Sequence, residues 1–280
     1  MIKIIADSSC DLPKELIDKY NVEILPLHVH LGDKEYKDGV DITPDEIYDW
    51  ADKNTDTPKT SVYSINAAIN LFEQYPDDEL ICFAISSELS SSLNVMRLAM
   101  EDVEGEDRIY LVDSRNLSSG IALLICAAGD MISQGMAAKD IFEEINKLIP
   151  NVRSSFVVDT LTYLHKGGRC SSVAAVSGTM LRLHPRIVVK DGKMSSDKKY
   201  RGKMESVFMS YLEDIKQNLT SVDDRKVFIP HSGGDQMVLD NVKKEFEKLN
   251  VFKEVYITRA GSVVSSHCGP GTLGILYIEK

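Results

Sequence analysis

ELICFAISSELSSSLNVMRLAMEDV, residues 79–103, begins as a short continuous apolar run, passes through five serines and ends in a helical pattern. ELICFAIS has the length and apolar content of a buried strand, and SSLNVMRLAMEDV has the pattern of the helix that follows it. Moving outward, the same order recurs in IKIIAD followed by PKELIDKY, and in RIYLVDS followed by GIALLICAAGDMISQG. Strands that alternate with helices in this way form parallel βαβ units, so the first half of the chain reads as an α/β domain on a parallel sheet. AAKDIFEEINKLIP then gives an amphipathic helix with Ile141, Ile145 and Leu148 on one face, and Pro150 ends it. A domain boundary is expected just beyond, giving an N-terminal domain of residues 1–153 and a C-terminal domain of residues 154–280.

The second half has a different texture. SSFVVD, RIVVKDGKM, KVFIPHS, EVYITRA and LGILYIEK read as strands, with Asp191-Gly192 as a hairpin turn. YRGKMESVFMSYLEDIKQNL reads as a long helix, and a mixed sheet with helices accounts for the set. In the first half, three strands end in polar clusters: Asp7, Ser8 and Ser9; the serines between Ser86 and Ser92; and Asp113 with Ser114. Open α/β sheets bind ligands outside the carboxyl ends of their strands, so these clusters point to a pocket there. The serine run has two readings on its own. One serine caps the helix and the rest are solvated loop, or hydroxyls and first-turn amides together cradle an oxyanion.

Composition narrows the function classes. The 280 residues are 43% apolar and 27% charged, with a formal net charge of -11. Such a charge repels nucleic-acid backbones and anionic lipid surfaces at long range. The most apolar stretch, GIALLICAAGDMI, is interrupted by Asp130, well short of the roughly 20 residues a membrane helix needs. MIKIIADSSCD is too short in apolar residues for a secretion signal and reads as a first strand. Five scattered cysteines with no C-x-x-C pair suggest reduced thiols and a cytoplasmic protein.

Several motifs are weaker than they look. GPGTLG (Gly269–Gly274) matches G-x-G-x-x-G in form, yet the strand, helix and acidic residue of a dinucleotide site do not surround it. It reads as a glycine-rich turn into a last strand. His28 and His30 share a strand face, but no third metal ligand is evident near them, and no metal or other cofactor is expected. His267 and Cys268, taken as neighbours in an extended segment, point apart and make a poor thiol–base pair. His267 is more useful as a hydrogen-bond donor to a bound acid. LHKGGRCSS can present Arg169 as a fork to an anion. Residues 182–203 carry Arg182, Arg186, Lys190, Lys193, Lys198, Lys199, Arg201 and Lys203 against Asp191 and Asp197, which is either a docking face or a solvated one.

Seven stretches in order, ADSSCDLP, KTSVYS, ISSELSSS, VDSRNLSSG, LTYLHKGGR, KYRGKME and SSHCGPGTLGI, resemble the DegV family of bacterial fatty acid-binding proteins over nearly the whole chain. The resemblance implies two α/β domains with a long-chain fatty acid held non-covalently between them. It implies that the hydroxyls of Thr60 and Ser90, the Ser91 amide and His267 hold the carboxylate. It also implies an ATP-dependent fatty acid kinase as partner, making acyl phosphate for phospholipid synthesis, with Arg169, Arg201 and His267 serving presentation or phosphotransfer. The chain itself would be a carrier and not an enzyme, with no nucleic-acid or integral membrane partner. Two positions depart from the family pattern: Ser90-Ser91-Ser92 stands where Ser-Gly-Thr is usual, and Val62-Tyr63 where Gln-Pro is common. Tyr63 is accordingly expected beside the headgroup or the acyl tunnel. The competing readings are a serine hydrolase using a serine between 86 and 92 with His267 as base, and a lipid sensor without a kinase.

Overall fold

The computed structural model describes residues 1–170 and 183–280, in which three sheets organise the chain. Strands β1 (Ile2–Asp7), β2 (Val22–Leu25), β6 (Glu79–Ala84) and β7 (Ile109–Asp113) form a four-stranded parallel sheet in the order β2-β1-β6-β7. Central strand β1 pairs on both sides, Ile5 lying opposite Glu23 and Cys82. The chain therefore winds one way from β1 to β2 and the other way to β6, which places the switch of winding direction at the ends of β1 and β6. Side chains alternate: Ile4, Ala6, Ile81 and Phe83 enter one core, and Ile5, Leu80, Cys82 and Ala84 the other. Helices α3 (Ile65–Phe72) and α4 (Ser92–Glu101) cover the second face, and α1 (Lys14–Tyr20), α5 (Ser119–Ser133) and α6 (Ala138–Leu148) the first.

The insertion between β2 and β6 left little mark in the sequence beyond the strand face shared by His28 and His30. It holds a small antiparallel sheet, β4-β3-β5, made of β3 (His28–Leu31), β4 (Lys34–Lys37) and β5 (Lys59–Ser61), with α2 (Pro44–Lys53) inside the connection. A capping box starts α2, with Thr43 and Glu46 bonding each other's backbone amides. The strands here are short and β4 is largely exposed, so they carry little alternation to read. His28 and His30 do lie on one face of β3, but they bond Glu35 and Ser61. Among the described residues no group of three candidate metal ligands occurs.

From Val152 onward the chain builds a six-stranded mixed sheet. Its order is β10-β9-β8-β13-β11-β12, from β8 (Val152–Val157), β9 (Leu183–Lys190), β10 (Lys193–Arg201), β11 (Lys226–His231), β12 (Glu254–Arg259) and β13 (Leu273–Ile278). Asp191 and Gly192 both have positive φ, 51° and 81°, and make the expected two-residue turn between β9 and β10. Helices α8 (Met204–Lys216) and α9 (Gln236–Leu249) pack on the outer face. The long helix expected over 200–219 is shorter at both ends. Tyr200 and Arg201 belong to β10, where pairing with His184 and Leu183 outcompetes helix formation. SSVAAVSGTML, residues 171–181, has a helix-like pattern in the sequence and lies outside the described residues.

Helix α5 explains the apolar run that stops short of a membrane span. Residues Ser119–Gly129 are all buried, because α5 lies between the two large sheets and shares a core with Ile4 and Phe83 on one side and Phe228 and Leu276 on the other. A helix buried all round needs no polar face. Among the described residues no helix is long and apolar enough to cross a membrane.

Candidate functional site

A cavity of about 360 Å³ lies where the carboxyl ends of the parallel strands meet the inner face of the six-stranded sheet. Its volume is that of a small-molecule site. Leu27, Ile85 and Leu117, from the loops after β2, β6 and β7, line one side, and Phe156 and Leu276 of β8 and β13 the other. The third wall is α10 (Ser262–Cys268), which contributes Val263, Val264 and His267. Such a cavity suits a long apolar ligand with one polar end.

The structure brings Thr60, Ser90, Ser91, Arg169 and His267 to this cavity. It does not bring Arg201, which sits exposed in edge strand β10. Thr60 Oγ1 lies 2.8 Å from His267 Nε2. The ring's other nitrogen, Nδ1, is buried with no partner among the described residues, and a Cβ at Gly167, near the end of α7 (Thr162–Gly167), would collide with it. We assign the proton of the neutral ring to Nε2, because the alternative would bury an N–H with no acceptor. Nε2–H then donates to Thr60, whose own O–H is left to donate into the cavity. Burial, reinforced by the Arg169 charge, pulls His267 down to about 4 from its ordinary 6.5. Its position also corrects the expectation of an extended segment: His267 and Cys268 end a helix, so they diverge by helical rotation rather than by strand alternation.

Ser91 is the residue before α4, with no side-chain cap bond of its own and, among the described residues, no partner for its amide. Ser90 Oγ accepts the Ser92 N–H at 3.3 Å, which leaves the Ser90 hydroxyl proton free. Free donors at a helix start, beside a neutral imidazole–hydroxyl pair, suit an oxyanion. Ser92 has a different task. Its hydroxyl donates to Asp7 Oδ2 at 2.7 Å and lies 2.8 Å from the Tyr63 hydroxyl. Of the two places expected for Tyr63, beside the headgroup or the acyl tunnel, the tunnel is not the one it takes, since it meets the serine turn from behind. It is 2% exposed, does not line the cavity, and bonds the back of the serine turn while Val62 faces the cavity.

Two anchoring groups were missed by sequence reasoning. Asp7, fully buried at the end of β1, accepts from the Ile85 N–H at 2.9 Å, from Ser92, and from both the amide and hydroxyl of Ser9. It ties the start and end of the serine turn together. Asp11 and Asp38 receive the Gly261 and Ser262 amides at the start of α10, both at 2.7 Å, and so hold the helix that carries His267. Burial pushes Asp11 up to about 8, against the opposing hydrogen bonds from Ser118 and Gly261. Asp7 carried a signal, as a polar strand end; Asp38 carried none, because its partners, Ser8 and Ser262, lie 30 and 224 residues away in sequence.

The basic stretch is partly neutralised. Arg186 forks onto Asp197, Lys198 reaches Asp214 at 2.5 Å, and Lys193 reaches Glu88 at 3.3 Å. Among the described residues Lys190, Lys199, Arg201 and Lys203 make no ion pair, and Arg182 lies outside them.

The neutral, enclosed state of His267 has a direct test. Followed by NMR, its ring is expected to show no inflection near 6.5 and to titrate only near pH 4, since charging it means burying a cation beside Arg169. A carboxylate bound at Thr60 should raise that midpoint by about one unit or more, because an opposite charge favours the imidazolium. An inflection near 6.5 in the unliganded protein would mean a solvated ring.

The chain matches the DegV family model over residues 1–280. It is 31% identical to a DegV domain-containing protein of Clostridium acetobutylicum, covering 100% of this chain and 99% of the relative. Among solved structures it is similar to a fatty acid-binding DegV family protein from Thermus thermophilus, with a TM-score of 0.91, 26% identity, and coverage of 100% of this chain and 99% of that one. It is also similar to a stearic acid-binding protein from Eubacterium ventriosum, with a TM-score of 0.87, 30% identity, and the same coverage.

Proposed function

We propose that this chain, which belongs to the DegV family, binds a long-chain fatty acid non-covalently and presents it to an ATP-dependent kinase. The observation that carries the reading is an apolar cavity of about 360 Å³ with its free hydrogen-bond donors gathered at Thr60, Ser90 and Ser91. In this reading the Thr60 and Ser90 hydroxyls and the Ser91 amide hold the carboxylate, and His267 orients Thr60. Fatty acid binding by the similar Thermus thermophilus and Eubacterium ventriosum proteins supports it. Arg169 lines the cavity and Arg201 stands unpaired on the edge strand. We assign both to the face that meets the kinase and the transferring phosphoryl group. The division into domains at residues 153 and 154 belongs to the same proposal, with the ligand between them; the change of sheet at Val152 supports it.

A hydrolase needs a nucleophile bonded to its base. His267 bonds Thr60, and none of the serines between 86 and 92 bonds it. The carrier reading is tested by extracting lipid from purified protein and then adding the kinase with ATP. Recovery of a fatty acid at near-stoichiometric yield and formation of acyl phosphate are expected. Protein that neither carries nor takes up long-chain acids would overturn the reading, whereas binding without acyl phosphate would leave the sensor.

A further inference from the structure

The hairpin β9–β10 supplies part of the cavity wall from the edge of its sheet. Strand β10 is outermost in its sheet and pairs only with β9, and β9 pairs with β8 only from Arg186 to Val189. Past Val189, which is paired with Ser154, only the turn from Lys190 to Lys193 extends beyond β8, with Asp191-Gly192 at its tip, and Val189 and Met194 at its base line the cavity. Among the described residues, the apolar packing behind it is built around Phe156, Leu164, Ile187 and Met194. A register shift between Ser196 and Lys198 bends β10 below the tip.

Polar contacts hold the tip down, and among the described residues those at Asp191, Gly192 and Lys193 land on the serine turn or on Arg115. Ser86 Oγ donates to the Gly192 carbonyl at 2.8 Å, the Arg115 guanidinium donates to the Asp191 carbonyl, and Lys193 reaches Glu88 at 3.3 Å. Arg115 also reaches Glu88 at 3.4 Å. The charged members of this set are partly exposed, so each stabilises the closed tip only slightly and can be broken without opening a core. The segment they grip, Ser86 to Ser92, is the one that carries Ser90 and Ser91.

We propose that the tip of the β9–β10 hairpin is a latch on the acyl cavity, which releases from Ser86, Glu88 and Arg115 to pass the chain and closes over it afterwards. This rests on the fatty acid reading above. Closure presses Val189 and Met194 onto the ligand's apolar part and braces the turn that holds its carboxylate. The latch therefore sets the rate of uptake and release more than the equilibrium affinity.

A Cβ at Gly192 would lie 2.5 Å from Ser86 Oγ and 2.9 Å from the Arg115 guanidinium, so cysteines at these positions are near enough to join once the tip shifts slightly outward, and the five native cysteines are all buried. In the Ser86→Cys/Gly192→Cys protein, oxidation is expected to slow uptake and release of oleic acid at least about tenfold, reversibly with reductant. Arg115→Ala, which needs no disulfide and leaves the positive φ at Gly192 untouched, is expected to release oleic acid about three to ten times faster. Equal exchange rates in the oxidised and reduced protein, or a parental release rate in Arg115→Ala, overturn the latch. Failure of the parent protein to bind oleic acid at equilibrium would instead overturn the fatty acid reading on which it rests.

Discussion

Replacement of Asp7 by alanine is expected to destabilise the protein by about 3–5 kcal/mol, the range for breaking a buried hydrogen-bonded network. The carboxylate is wholly enclosed and accepts from two amides and two hydroxyls, those of Ser9, Ile85 and Ser92. Alanine leaves the Ser9 and Ile85 amides without their acceptor, and the Ser9 and Ser92 hydroxyls must turn elsewhere, Ser92 to the Tyr63 hydroxyl 2.8 Å away. Each orphaned donor costs about 1–3 kcal/mol, less whatever local relaxation recovers. Asparagine should fail almost as badly, because its amide nitrogen would face a donor where a carboxylate oxygen now accepts. Since Asp7 ties Ile85 to Ser92, ligand affinity should fall along with stability. Urea unfolding of Asp7→Ala and Asp7→Asn against the parent checks this, and a loss below about 1 kcal/mol in both would mean the network is dispensable.

Thr60→Val and Ser90→Ala are each expected to weaken long-chain fatty acid binding about tenfold to a hundredfold. A hydrogen bond to a charged group contributes about 1.5–3 kcal/mol, and 1.4 kcal/mol is a factor of ten. Thr60→Val should be the worse of the two. Beyond losing its own donor it strips His267 Nε2 of its partner, on a ring whose Nδ1 already has none. Ser90→Ala removes only an acceptor for the Ser92 amide, a long contact at 3.3 Å. If both hydroxyls hold the same carboxylate, the double variant should lose less than the sum of the single losses. Calorimetric titration with oleic acid decides the matter: parental affinity in both single variants would place the headgroup away from this turn.

Much of the architecture was legible along the chain. Buried strands of a parallel sheet are short apolar runs, and the helices between them keep their period, so β1, β6 and β7 with α1, α4 and α5 could be read directly. The hairpin at Asp191-Gly192 was equally plain, because two successive positive φ values suit few residue pairs. The small sheet β4-β3-β5 was not, since four-residue strands with one exposed face carry too little pattern to separate from loop. Tyr63 misled for a related reason. Its neighbours in sequence line the cavity, but a one-residue step along an extended segment reverses the side chain, and that step sent Tyr63 into the core behind the serine turn.

The sequence by itself determined the class of fold, the family, and the residue types from which an acid-binding site can be made. Local periodicity and turn chemistry act over a few residues, and they leave marks that can be read in order. Only the tertiary structure decided which polar groups are free. Thr60 meets His267 across 207 positions, Ser92 is drawn to Asp7 across 85, and Ser262 to Asp38 across 224. Five serines between 86 and 92 look alike in the chain. They part into a latch contact at Ser86, a carboxylate partner of Asp113 at Ser87, open donors at Ser90 and Ser91, and a buried strut at Ser92. Hydrogen bonds form between groups that packing brings within about 3 Å, and that proximity is a property of the folded chain alone.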